Sequence, residues 1–346
     1  MALQLNSFSL PQFTDLLTRT TLDFYENFQY VMKTSGLVKQ VSQGNNNGLF
    51  MRLAQAPVIS RFAKRFDEGA PMQGAVSQYG YEKDLAIYQV GLEMGITKLE
   101  RIANKTPEVL ARLVAVATTV PNRMELDLTH RLTFSTVTSY VDQDGFTVDV
   151  SVGDTLSLIS ATHTLTGSGV TYSNSIGTTA FSKAALETAE RQVSEQTFDN
   201  LGIKIPMNFD VIFCTDDSVT NKRIDEELMS TGSTGTVSSA ELGAGGAQSS
   251  AVLNVNNSKY RKIRLPFLAT TATGAVDTTK RRWWGIASTP NTSLYLSVLE
   301  APSMQAPSAG NNGEDGSSGN WYYRGRGSYG IAIADAIWIK AATPVS

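Results

Sequence analysis

The chain has 346 residues, of which 41% are apolar and 18% charged, with a formal net charge of −3 at neutral pH. That apolar fraction fills the core of one elaborate domain or two ordinary ones and excludes a disordered polyelectrolyte, while the absence of a broad basic field argues against a protein whose main task is gripping phosphates. A charged fraction below the roughly 25% usual for soluble domains leaves a surface rich in Ser, Thr, Asn, Gln and Gly, which self-associates with little like-charge repulsion.

From Gln12 to Lys33 the apolar residues Phe13, Leu16, Leu17, Leu22, Phe24, Tyr25, Phe28 and Val31 recur mostly every three or four positions, the spacing of an amphipathic helix. Nothing before it reads as a basic stretch followed by an apolar one, and no later apolar run is long enough to cross a bilayer, so neither export by the usual route nor a membrane span is expected. A loop is predicted at Ser42–Gly48. This opening arm has too few apolar partners of its own for a core and is expected to pack on something else.

Strand-like runs at Val58–Phe66 and Leu85–Thr97 flank the polar segment Asp67–Lys83, which contains Gly69, Pro71, Gly74 and Gly80. They predict a long hairpin with a broad tip. A two-stranded hairpin is marginal in water by itself, so this one needs a partner surface.

Thr106-Pro107-Glu108 is a helix start: an oxygen-bearing cap, a proline whose missing N–H does no harm there, and an acid near the positive end of the dipole. Leu110, Leu113, Ala117, Val120, Met124 and Leu128 carry the stripe onward, predicting one long helix bent at Pro121. A turn at Asp144-Gly145 and the alternation Thr147–Val152 predict a half-buried strand. Ser182 caps a second helix, with Phe181 and Leu186 placed as a hydrophobic staple, Ala189 and Val193 on its apolar stripe and Gly202 at its expected end. After Pro206, Asn208–Cys214 reads as a buried strand. Cys214 is the only cysteine, so no intrachain disulfide forms; a buried, inert thiol and a reducing cytoplasm are expected. Ser230–Ser250 and Pro307–Gly319 read as loops, Leu294–Leu299 as a strand, and Ile331–Ile339 as one buried strand closing the chain.

Only two histidines, His130 and His163, are available for general-base, triad or zinc chemistry. Asp154, Ser160 and His163 form the single arrangement from which a hydrolase can be argued, but no nucleophile elbow surrounds Ser160, and a structural histidine is the expected role of His163. His130 is expected to pack or to be solvated. Gly325-Arg326-Gly327-Ser328-Tyr329-Gly330 has the letters of a dinucleotide fingerprint, which requires a following helix; a strand follows instead, so these glycines are expected to permit close backbone approach or a bulge. Arg324 and Arg326, and separately Lys280, Arg281 and Arg282, are either solvated charge or contacts to a neighbouring subunit's carboxylates.

Taken in order, these elements resemble the Hong Kong 97-type fold of tailed-bacteriophage major capsid proteins. The more specific likeness lies in Gly153-Asp154-Thr155-Leu156-Ser157-Leu158-Ile159-Ser160-Ala161-Thr162-His163, followed by Thr166-Gly167-Ser168-Gly169, Tyr172-Ser173-Asn174 and the helix capped by Ser182. It is similar to the family's succession of Asp, apolar pair, Ser, His, glycine-rich turn, Asn and helix. Tyr323–Gly330 and the strand containing Asp335 resemble the family's ending. Ser157-Leu158-Ile159 is less aromatic than the family's run, and Thr164 stands where a Pro is common.

The resemblance implies an α+β fold with an amino-terminal arm (1–57), an E-loop hairpin (58–99), a peripheral domain with a spine helix (100–212) and an axial domain (213–346), part of 292–330 returning to the peripheral domain. It implies a structural protein with no catalytic, cofactor-binding or metal residues. Its expected partners are copies of itself in hexamers and pentamers, with scaffolding, portal or decoration proteins as further candidates; packaged DNA would be met only by weak non-specific contact, and no membrane. The expected location is the virion, assembled in the host bacterial cytoplasm. With no long charged helix before Phe50, the amino terminus is expected to stay in the particle. Some family members cross-link through Lys and Asn; Lys64 and Lys83 are the hairpin's candidates, and no cross-link is expected. An encapsulin-like nanocompartment shell, and more distantly the hydrolase, are the competing readings.

Overall fold

The computed structural model describes residues 15, 19, 31–41, 50–55, 58–59, 62–63, 65–72, 74, 77–103, 106–229, 232–233, 252–253, 256, 258–305 and 320–345. The chain divides into two interleaved units, one of residues 1–54, 82–131 and 293–334, the other of 55–81, 132–292 and 335–346. Of the opening arm helix, Asp15, Arg19 and Val31–Thr34 are described and helical. The loops expected at Ser42–Gly48 and Pro307–Gly319, and all of Ser230–Ser250 except Gly232–Ser233, lie outside the described residues.

The first unit rests on the helix Thr106–Thr133, whose final two residues belong to the second unit. Its 28 residues span about 42 Å at the usual rise of ~1.5 Å per residue, and it continues through Pro121. A four-stranded sheet has the order Val38–Gln40, Leu294–Gln305, Trp321–Ile333 and Tyr88–Ile96, with the first pair parallel and the others antiparallel. Along Trp321–Ile333, Tyr323, Gly325 and Gly327 are buried while Arg324 and Arg326 are exposed, the two-residue alternation of a strand with one face covered. A β-carbon on Gly325 would stand 3.4 Å from Val116 Cγ1, and one on Gly327 3.0 Å from Val120 Cγ1. The glycines thus bring strand and helix close enough for Ile96, Val109, Leu113, Val116, Ala117, Met304 and Tyr323 to form one core.

The expected hairpin is present with different strands. Phe50–Ala54 pairs with Glu82–Ala86 in the first unit, and Val58–Ile59 pairs with Ser77–Gln78 in the second. Tyr88–Ile96, assigned from sequence to the return strand, instead pairs with Trp321–Ile333. The reason is burial: Leu85 and Ile87 join Leu53, Ala332 and Ala334 in a core cluster, an apolar surface that a free hairpin does not offer.

The second unit holds a five-stranded mixed sheet in the order Ser175–Gly177, Ile339–Ala342, Trp284–Ala287, Val211–Cys214 and Arg261–Arg264. Phe181, just before the helix Lys183–Glu195, Leu186 and Ala189 within it, and Ile224 and Leu228 from Ser218–Met229 pack with Ile212, Trp284 and Ile286 of that sheet. The Ser182 hydroxyl accepts the Ala185 N–H at 3.2 Å, as expected of a cap. The helix ends at Glu195 and not at Gly202, because the Thr197 hydroxyl turns back to the Val193 carbonyl at 2.7 Å. Gly202 instead serves the next turn, with φ +76°.

The closing segment is two strands and not one. Trp321–Ile333 belongs to the first unit and Ile339–Ala342 to the second. Between them Asp335 makes a turn: its Oδ1 accepts the Ile337 N–H at 3.0 Å, and the Trp338 indole N–H donates to its carbonyl at 2.8 Å. The polar side chain competes with the ladder for backbone partners and ends the first strand.

Candidate functional site

The polar residues of the Asp154–Asn174 stretch bond to one another. His163 is fully buried, with Nδ1 2.7 Å from Asp154 Oδ2 and Nε2 3.2 Å from the Leu158 carbonyl. Asn174 donates to the same carbonyl at 2.6 Å and to that of Ala336 at 3.2 Å, and its Oδ1 accepts the Ser160 N–H at 2.8 Å. Ser160 Oγ accepts the Thr162 N–H at 3.3 Å. A triad needs the ring nitrogen opposite the carboxylate to face the nucleophile; here it faces a backbone carbonyl. Asp154 and His163 are brought together, but Ser160 is not placed as their nucleophile, and the hydrolase arrangement is not formed.

Around this pair lie residues to which the sequence pattern assigned no role of their own. The Tyr172 ring stacks on His163, with centroids 5.2 Å apart, and burial pushes its phenol well above the usual range. Desolvation raises the Asp335 carboxyl above the usual range, against the pull of the Ile337 N–H, the nearby His163 and the Gln55 amide. Lys340, itself buried, donates to the carbonyls of Ser173 at 2.8 Å and Gln196 at 3.1 Å; desolvation brings its ammonium down to about 7, against the attraction of Asp335. The signal for both was available: a charged residue within or directly after an apolar run implies a buried partner.

In the first unit, Glu125 is the corresponding omission. Its Oε1 accepts the Met32 N–H at 2.9 Å, its Oε2 is buried without a hydrogen-bond partner among the described residues, and desolvation pushes the carboxyl up to about 7. His130, on the same helix, is buried. Arg324 pairs with Glu93, and Arg326 with Glu300 at 2.9 Å, within the chain. Lys280 lies over the Phe134 ring and pairs with Asp277 at 3.4 Å, whereas Arg281 and Arg282 are exposed. Cys214 is buried, as expected. Lys83 lies in the strand Glu82–Ala86, and Lys64 falls outside the described residues. Gly325–Gly330 lies inside a strand, which leaves no helix start for a pyrophosphate.

The segment between the hairpin strands has a different character. Residues 65–72 are all exposed, and Phe62, Phe66, Met72 and Tyr79 are 68%, 55%, 78% and 75% exposed. Four large apolar side chains thus face solvent within 18 residues. Among the described residues no helix is long and apolar enough to cross a membrane, and no group of three or more His, Cys, Asp and Glu side chains is placed to hold a metal ion.

No family model and no curated protein matches the sequence. Among solved structures the chain is similar to the capsid of cyanophage P-SCSP1u at 12% identity and a TM-score of 0.48, over 90% of this chain and 87% of that one. It is similar to the capsid of Myoviridae phage XM1 at 8% identity and a TM-score of 0.48, over 91% and 92% of the two chains. The capsid of an empty GTA particle shows 10% identity and a TM-score of 0.46, over 91% and 90%.

Proposed function

We propose that this chain is a shell subunit, the major capsid protein of a tailed bacteriophage, which associates with copies of itself into an icosahedral shell around double-stranded DNA. The observation that carries the reading is the exposed segment at the hairpin tip. Phe66 and Met72 there, and Tyr79 nearer the base, are more than half exposed, and burying such a side chain against a neighbour is worth about 1.5–3 kcal/mol. Repeated at every copy around a closed symmetry, contacts that are individually modest hold a shell. The interlocked Asp154, Ser160, His163 and Asn174 support the same reading: the residues that carry the family resemblance bond to each other and build the fold. In this reading the first unit, with the long helix and the four-stranded sheet, is the peripheral domain, and the five-stranded sheet of the second is the centre of the axial domain.

The test replaces residues 60–76 by a short Gly-Ser turn. The subunit should keep its circular dichroism and melting temperature, because the described residues removed contribute little to either core, while closed particles disappear from sedimentation and negative-stain microscopy. Normal shells of normal stability from the shortened chain would refute the reading. Nucleic-acid content of the wild-type particles then separates a genome container from a shell around a cargo protein.

A further inference from the structure

We infer that the base of the 55–81 segment is a clamp, built by Gln55, Gly80, Tyr81 and Asp335, that presets the exposed tip before it meets a second copy. The inference rests on the proposed shell function for its purpose but not for its geometry.

Both ends of the segment are bonded into the second unit. The Gln55 N–H donates to the Tyr81 carbonyl at 3.0 Å, and the Gln55 side-chain amide donates to Asp335 Oδ2 at 2.7 Å. The Tyr81 hydroxyl donates to the Thr164 carbonyl at 3.0 Å, and the Thr166 hydroxyl to the Tyr79 carbonyl at 3.1 Å. Gly80 lies in a slot with no room for a side chain: a β-carbon there would overlap Gln55 Oε1 and stand 2.7 Å from Asn200 Nδ2. Asp335 is itself immobilised, since its other oxygen accepts the Ile337 N–H at 3.0 Å and lies 3.5 Å from the Tyr172 hydroxyl.

The contrast with residues 65–72, all exposed, is the point. A segment free to swing from its base would lose that freedom at each contact it makes, and a preset base removes part of this cost from every copy. Asp335 is partly buried at the residue where the chain enters the second unit. Its place beside Gln55 gives this desolvated carboxylate a role that closing the sheet alone does not require.

The experiment uses the full chain. Gly80→Ala and Gln55→Ala should speed hydrogen exchange of the amides at 55 and 79–82 in the unassembled subunit at least tenfold, and slow particle formation, followed by light scattering, at least tenfold. Exchange in the five-stranded sheet should stay unchanged. The exchanged pair Gln55→Glu with Asp335→Asn, in which the introduced carboxylate accepts from the introduced amide, should recover much of the assembly rate that either single change loses. Unchanged exchange at the base, or wild-type assembly rates from both single variants, would overturn the inference. Wild-type protein that forms no particles would instead overturn the shell reading, and the exchange data would still judge the clamp.

Discussion

Replacing Glu125 by Gln should make the protein more stable at pH 8 and leave it nearly unchanged at pH 5. In the folded chain this carboxyl is 3% exposed, and burial lifts it from the usual 4.5 to about 7. The Met32 and Val31 N–H groups pull it back only in part. Above pH 7 the group is ionised in both folded and unfolded chains, and the folded state bears the cost of an anion with one oxygen unpartnered among the described residues. Between 4.5 and 7 the folded chain holds a proton that the unfolded chain does not, so stability falls as pH rises through that window. Each tenfold change in proton affinity is worth about 1.4 kcal/mol, which makes the full effect about 3 kcal/mol. The glutamine keeps an oxygen for the Met32 N–H and has no charge to desolvate. Urea unfolding of both proteins at pH 5, 6, 7 and 8 measures the difference between the two curves, so other titrating groups, Asp335 and Lys340 included, largely cancel. Parallel curves over this range would refute the argument.

Gly330→Ala should destabilise the first unit by about 1–3 kcal/mol, because a β-carbon would stand 2.5 Å from both the Ala86 carbonyl oxygen and Leu85 Cδ2. Gly74→Ala, whose β-carbon meets nothing within 4 Å, is the matched control, and equal melting temperatures for the two variants would contradict the packing account. Cys214, its thiol pushed up to about 12 by burial, should resist an aromatic disulfide reagent at pH 8 in the native protein and react once per chain in denaturant. Rapid native reaction would mean that the strand Val211–Cys214 opens readily.

Local chemistry in the sequence was enough to place the long helix from Thr106, the Ser182 cap, the strand ending at Cys214 and the turn at Asp144-Gly145, because caps, glycine turns and three-four spacing act over a few residues. The glycines of Gly325–Gly330 were likewise legible as a place of close approach. What the sequence did not contain was the partner of each apolar face. Tyr88–Ile96 reads equally well as the return arm of a hairpin or as a strand of another sheet, and only the distant Trp321–Ile333 decides between them. Ile331–Ile339 has the pattern of one strand and becomes two, because Asp335 finds partners in Gln55 and the Ile337 N–H. Asp154, Ser160 and His163 stand close enough in sequence to suggest catalysis; the role of the histidine was decided by the Leu158 carbonyl at its second nitrogen. Sequence determines which residues must be buried or satisfied, since that follows from their own chemistry. Tertiary structure decides what satisfies them, because the partners are many residues away and meet only when the chain has folded.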